Sequence, residues 1–172
     1  MFRKADFRDL DAICAIYDAI HDRKEAGLTT IGWVRSIYPT RTTAEASVRA
    51  GDMFVLEEDG EILAAARINQ IQGEEYKKAN WHFCCPDSKV MVLHTLVVSP
   101  AAAKKGLGKR FVAFYEDYAA RHGCTCLRMD TNARNTVARA LYKKLGYAEV
   151  SVVPCVFNGI SGVQLVCLEK KL

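Results

Sequence analysis

The sequence predicts a mixed α/β fold, a central mixed β-sheet flanked by helices. Three observations predict it. Apolar runs of β type alternate with stretches whose apolar residues recur at helical spacing. Two hairpin signals, Asp59-Gly60 and Asn158-Gly159, separate pairs of such β runs. A further run, Leu93 to Val98, stops at Ser99-Pro100, crosses a short basic turn and enters a helix through Gly106 and Gly108.

The elements follow in order. Phe2 to Ala5 reads as a short first strand. Asp6 or Asp9 caps a helix whose Leu10, Ile13, Cys14, Tyr17 and Ile20 form one apolar stripe, and the polar stretch from His21 ends at Gly27. Ile31 to Tyr38 is expected to be partly helical and broken at Pro39, and Thr42 or Thr43 to cap a helix running to Ala50, closed by Gly51. Met53–Glu57 and Glu61–Ile68 are strands, and Gln70 to Asp87, with Tyr76, Trp81 and Phe83, is a loop suited to line a pocket. Lys89 to Val98 is apolar enough for a central strand. Gly106 to His122 is a helix with Leu107, Phe111, Phe114, Tyr115 and Tyr118 inward; Thr125 to Asp130 is a strand and Asn135 to Leu145 the last helix. Ala148–Phe157 and Val163–Lys170 close the chain as strands. With no internal repeat or long linker, residues 1–172 read as a single domain.

Composition narrows the function. No apolar run approaches the ~20 residues of a membrane span, and no apolar signal region follows Met1-Phe2-Arg3-Lys4-Ala5-Asp6. The expectation is a cytoplasmic protein with no membrane partner. Seven cysteines in such a chain point away from disulfides. Cys84-Cys85 and Cys124-Thr125-Cys126 lack zinc spacing, so no metal is expected. Cys124, Cys126, Cys155 and Cys167 read as small hydrophobes of strands, and Cys84 and Cys85 as loop thiols open to oxidation. The net charge is +4, much of it at Lys104, Lys105, Lys109, Arg110, Arg134, Lys143 and Lys144. Without an aromatic-basic pattern or a DNA-reading motif, this surplus suits a small polyanion and no nucleic acid.

The turn at Ala101–Gly108 says which polyanion. Glycines let backbone approach a ligand, and the first amides of a helix, at the positive end of its dipole, bind phosphate. Gly106-Leu107-Gly108 is not followed by Lys-Ser or Lys-Thr, so it is no triphosphate loop, and Phe111 replaces the third glycine of a dinucleotide fingerprint. The second segment, Asn135-Thr136-Val137-Ala138-Arg139-Ala140-Leu141-Tyr142-Lys143-Lys144-Leu145-Gly146-Tyr147, is a helix capped by Asn135 and closed by Gly146, with Val137, Ala140, Leu141 and Leu145 expected toward the core.

Together the two segments resemble the GNAT superfamily of acyl-CoA-dependent N-acyltransferases. That family carries an Arg/Gln-x-x-Gly-x-Gly/Ala turn and an Asn-x-x-Ala-x-x-Leu-Tyr-x-x-x-Gly-Phe/Tyr helix. The helix pattern matches throughout. In the turn, Ala103 stands where the family has Arg or Gln, and Lys104 where glycine is common. The resemblance implies the GNAT fold, acetyl-CoA as acyl donor and a primary amine as acceptor, of a small molecule or a peptide; it also allows a homodimer. It implies that backbone amides of Lys104, Lys105, Gly106, Leu107, Gly108 and Lys109 hold the pyrophosphate, that backbone groups of Leu96, Val97 and Val98 pair with the pantetheine arm, and that Asn135 sits on the coenzyme side. Tyr142 is the implied general acid, a phenol of pKa about 10 protonated at neutral pH. His94, on a strand face with Leu96 and Val98, is the candidate base at a pKa near 6.5. Glu74 and Glu75 are the fallback bases. His21, Asp22, Glu25, Glu74 and Glu75 are available to attract a cationic amine. A non-catalytic acyl-CoA-binding module is the remaining alternative.

Overall fold

The structure, a computed structural model, describes all 172 residues. Its elements are β1 (Phe2–Lys4), α1 (Leu10–Glu25), α2 (Arg41–Arg49), β2 (Met53–Glu58), β3 (Glu61–Asn69), β4 (Val90–Val98), α3 (Leu107–Arg121), β5 (Cys126–Asn132), α4 (Thr136–Lys144), β6 (Ala148–Phe157) and β7 (Ile160–Lys171). They build one seven-stranded sheet of order β1-β2-β3-β4-β5-β7-β6. Only β4 and β5 run parallel; every other pair is antiparallel. Both expected hairpins form. Asp59 and Gly60 lie at φ 52° and 81°, and Asn158 and Gly159 at 50° and 78°, the paired positive values of a tight hairpin turn.

Each face of the sheet is covered. Met91 and Leu93 of β4 and Leu127 and Met129 of β5 pack under Phe111 and Tyr115 of α3. On the opposite face, Leu10, Ile13 and Tyr17 of α1 and Ala44 and Val48 of α2 cover Met53, Val55 and Ala65. The rest of that face carries the loop, whose Tyr76 and Trp81 pack with Val90, Val92 and Leu165. The loop is also tied down by polar groups. Arg128, in the sheet beneath, donates to Gln72 and to the Phe83 carbonyl, and lies 4.1 Å from the Trp81 ring centroid. Buried Glu169 accepts from the His82 amide at 2.6 Å.

Four expectations are corrected. Ile31 to Tyr38 is not helical: it is a turn closed by a Val34↔Tyr38 bridge, because Gly32 at φ 78° cannot continue a right-handed helix. The cap of α2 is Thr40, in a reciprocal pair with Thr43. In α4, Leu141 and Leu145 face inward as expected, but Val137 is 79% exposed and Ala140 is exposed as well, and Ala138 and Tyr142 face inward in their place. The fourth concerns the thiols. Cys85 of the loop and Cys126 of β5 form a disulfide pair, with Cα atoms 6.5 Å apart, whereas Cys124 and Cys167 are buried free thiols as expected.

At the start of the chain, Asp6 and Asp9 form a reciprocal cap around the turn Phe7–Asp9 that leads into α1. Asp9 also takes two hydrogen bonds from Arg3, at 2.7 and 2.8 Å, and Arg3 holds its carboxyl below the usual carboxylate range. A depressed folded pKa stabilises above the unfolded value near 4, and the gain is lost as pH falls through the folded value. Asp9→Asn is therefore expected to cost about 1.5–3 kcal/mol at neutral pH. Denaturant titrations should also show a weaker loss of stability below about pH 4 than in the parent.

Candidate active site

The site begins with an irregularity in β4. Its register with β3 runs Ile68↔Leu93 and Arg67↔His94, then jumps to Ala65↔Val97. The extra residue bulges out at Thr95, which takes φ 52°. A bulge reverses the alternation of faces beyond it. Val92 and His94 lie on the α1 side and Leu93 on the α3 side, while Leu96 and Val98 pack with the α3 cluster and Val97 with the α1 cluster. His94 therefore does not share a face with Leu96 and Val98, contrary to the simple alternation of the sequence.

Beside the bulge is a gap. β4 pairs with β5 only from Val90 to Leu93. Beyond Leu93↔Met129 the two strands part, and residues 95–98 of β4 and 130–132 of β5 line a cavity of about 900 Å³. Among its other lining residues are Tyr17, Trp33, Tyr38, Glu75, Gly108 and Asn135. Tyr142, Ala138 and Leu141 reach it from α4. The segment before α2 forms part of the roof: Thr30 donates to the Arg134 carbonyl at 2.7 Å, and the Tyr38 hydroxyl bonds Thr95 Oγ1.

At one end stands the turn into α3. Lys104 and Gly106 lie at φ 66° and 72°. The first backbone bond of the helix runs from the Arg110 amide to the Gly106 carbonyl. The amides of Lys104, Lys105, Gly106, Leu107, Gly108 and Lys109 have no acceptor within the chain. Lys104, Lys105 and Lys109 are exposed and carry no ion pair, but Arg110 is bound to Glu58 at 2.6 Å. Lys143 and Lys144 occupy the last turn of α4, away from the Asn135 end that lines the cavity, so they complement the helix dipole instead of the site. Gly108 lets α3 meet α4, since a Cβ there would lie 3.2 Å from Leu141 Cδ2. Asn135 caps α4 through Oδ1, accepting from the Ala138 amide at 3.2 Å, which leaves its Nδ2 free.

At the other end are the titratable groups. Tyr142 is buried, with its hydroxyl unpartnered within the chain, and burial with Asp130 nearby raises its pKa further above that of a free phenol. His94 differs from the expected ordinary imidazole: burial, with help from Arg67, pushes its pKa down to about 4. Asn69 donates through Nδ2 to Asp52 at 2.7 Å, so its Oδ1 accepts from His94 Nε2 at 3.1 Å. That tautomer makes Nδ1 the acceptor nitrogen of the ring. Among the carboxylates proposed for a cationic amine, only Glu75 lines the cavity; Asp22 and Glu25 are bound to Arg35, Glu74 to Lys77, and His21 is buried under Trp33. Asp130, absent from the sequence reading, also lines it. Its Oδ2 accepts from the Tyr76 hydroxyl at 2.8 Å, and burial pushes its pKa up to about 6. An aspartate closing an apolar strand run was the one signal available for it.

The sequence profile of the acetyltransferase (GNAT) family matches residues 13–147. This chain belongs to that family. It is 39% identical over 61 residues to the N-acetyltransferase YhfO of Bacillus subtilis, covering 36% of this chain and 41% of that one. It is 28% identical over 69 residues to an aminoglycoside N(6')-acetyltransferase type 1 of Salmonella typhimurium, covering 40% of this chain and 48% of the other. The match thus spans less than half the length of these curated relatives. Among solved structures, the acetyltransferase yncA of Salmonella typhimurium with its cofactor acetyl-CoA superposes with TM-score 0.70 at 21% identity, over 100% of this chain and 93% of that one. The expected fold is therefore the observed one. No helix is long and apolar enough to cross a membrane.

The turn into α3 yields a paired test. Gly106→Ala adds a methyl that meets no atom, so its cost is backbone strain alone, about 1 kcal/mol in thermal or chemical unfolding. Lys104→Gly relieves the same strain and is expected to stabilise by about 1 kcal/mol.

Proposed function

We propose that this chain transfers an acetyl group from acetyl-CoA to a primary amine by direct attack in a ternary complex. The observation that carries this reading is the run of six acceptorless amides beside a strand edge that β5 leaves free. The amides of Lys104 to Lys109 bind the pyrophosphate, as helix N-termini do, and the ammonium groups of Lys104, Lys105 and Lys109 add charge without needing Arg or Gln at position 103. Backbone groups of Leu96, Val97 and Val98 pair with the pantetheine arm in the manner of an added strand. Asn135 offers its free Nδ2.

The chemistry then divides among few groups. The amine nitrogen forms a bond to the thioester carbonyl carbon and the carbon–sulfur bond breaks. A β4 amide stabilises charge on the carbonyl oxygen as it develops. Tyr142, kept protonated by its burial, gives its proton to the departing thiolate. His94 is one base for the acceptor's proton, uncharged above about pH 4 and with Nδ1 able to accept. A small-molecule amine is favoured by the cavity of about 900 Å³ and by the aminoglycoside-acetylating relative. A peptide amine is the second reading, and we read the chain as a single cytoplasmic domain.

Calorimetric titration with acetyl-CoA, against desulfo-CoA and ATP, tests the donor site. Selective micromolar binding is expected, and its absence overturns the reading; binding without turnover of any amine leaves only an acyl-CoA-binding module. Tyr142→Phe should lower kcat about 100-fold while leaving acetyl-CoA affinity nearly unchanged. If His94 is the base, His94→Ala removes a rate limb near pH 4; an unmoved profile assigns the proton elsewhere.

A further inference from the structure

The far end of the cavity shows what kind of amine it takes. This inference rests on the acetyltransferase reading. The charged side chains of the lining are Arg23, Arg67, Glu75 and Asp130, so cationic and anionic groups balance. The remaining wall at this end is largely apolar and aromatic, with Leu28, Trp33, Ile71, Phe157 and Ile160. A polycation would leave all but one or two of its ammonium groups without counter-charge in such a cavity. A single ammonium on an apolar or aromatic body leaves none.

Asp130 is the group built to receive that ammonium. It lies one residue past Met129, the last β5 residue paired with β4, so it stands at the mouth of the gap. Its Oδ2 is held by Tyr76, its Oδ1 has no hydrogen-bond partner in the chain, and the residue lines the cavity. Tyr76 is itself fixed, buried in edge contact with Trp81 at 5.1 Å between centroids. We infer that Asp130 binds the ammonium of a singly charged, apolar or aromatic primary amine and takes the proton that the amine must lose before attack. The ammonium gives a proton to the carboxylate, leaving a neutral amine and a carboxylic acid, which returns the proton to water after transfer.

The charge state of Asp130 depends on every group around it. Tyr76 and Glu75 face it from the loop, Tyr142 from α4, Tyr38 from the segment before α2, and Cys167 and Cys155 from β7 and β6. His94 and Arg67 line the same cavity from β4 and β3. Burial raises its pKa to about 6, and the Tyr76 hydrogen bond opposes the rise. The carboxylate form is therefore present above that value and lost below it.

The test uses 2-phenylethylamine as the singly charged probe and spermidine and kanamycin as polycations, with thiol release as readout. 2-Phenylethylamine is expected to give the highest kcat/KM, with a rate limb near pH 6. Asp130→Asn, which keeps an oxygen for Tyr76, should lower kcat/KM about 100-fold or more and abolish that limb. Acetyl-CoA affinity by calorimetry should stay within twofold, which also shows that the variant is folded. Tyr76→Phe removes the bond that favours the carboxylate, so its limb should move above pH 6. A preference for a polycation, or no transfer to 2-phenylethylamine, overturns the substrate class. Unchanged kcat/KM and limb in Asp130→Asn overturn the residue's role. Failure of the parent protein to bind acetyl-CoA overturns the acetyltransferase reading itself, a separate outcome.

Discussion

The site depends on the parting of two parallel strands. β4 and β5 are paired where Val90 to Leu93 meet Cys126 to Met129, and nowhere beyond. Their shared half is buried and pins the centre of the sheet. Their separated half leaves backbone polar groups without sheet partners, a condition that a buried strand tolerates only when water or a ligand supplies the missing bonds. The Thr95 bulge lies just past the point where they part, and beyond it Leu96 turns toward α3 while His94, before it, keeps the α1 side. One inserted residue thus decides which β4 side chains beyond it face each side of the sheet.

Around that gap, each helix contributes an end. α3 brings amides that no carbonyl claims, and α4 brings Asn135 and Tyr142. Gly108 lets the two helices meet, so this end of the cavity is built by backbone and by one missing side chain. The opposite end is built differently, by side chains from the loop and from the turn before α2. The α3 end of the cavity therefore depends little on which side chains surround it.

This division explains what the sequence disclosed. The strands and helices were legible because apolar period and caps are local, and both hairpins because Asp-Gly and Asn-Gly favour positive φ. The glycine entry to α3 was legible for the same reason, with Gly106 at φ 72°. The bulge was not: Thr95 is β-branched, and nothing in its neighbours announces φ 52°. His94 was misread on two counts that both need tertiary structure, its face and its desolvation. Asp130 and Tyr76 are 54 residues apart and become a pair only when the loop folds over β5. The Cys85–Cys126 contact is of the same kind, since a loop thiol and a strand thiol carry no shared spacing signal.

The anchoring of that loop has a consequence for how the protein selects its ligands. Arg128, Glu169 and the Cys85–Cys126 pair hold the loop from beneath, through residues that line no part of the cavity. Ile71, Gly73 and Glu75, which do line it, flank the anchored Gln72 and precede the anchors at His82, Phe83 and Cys85. Fastening and recognition are thus carried by different positions of one segment. Replacements at 71, 73 and 75 therefore redraw the cavity wall while leaving those anchors in place.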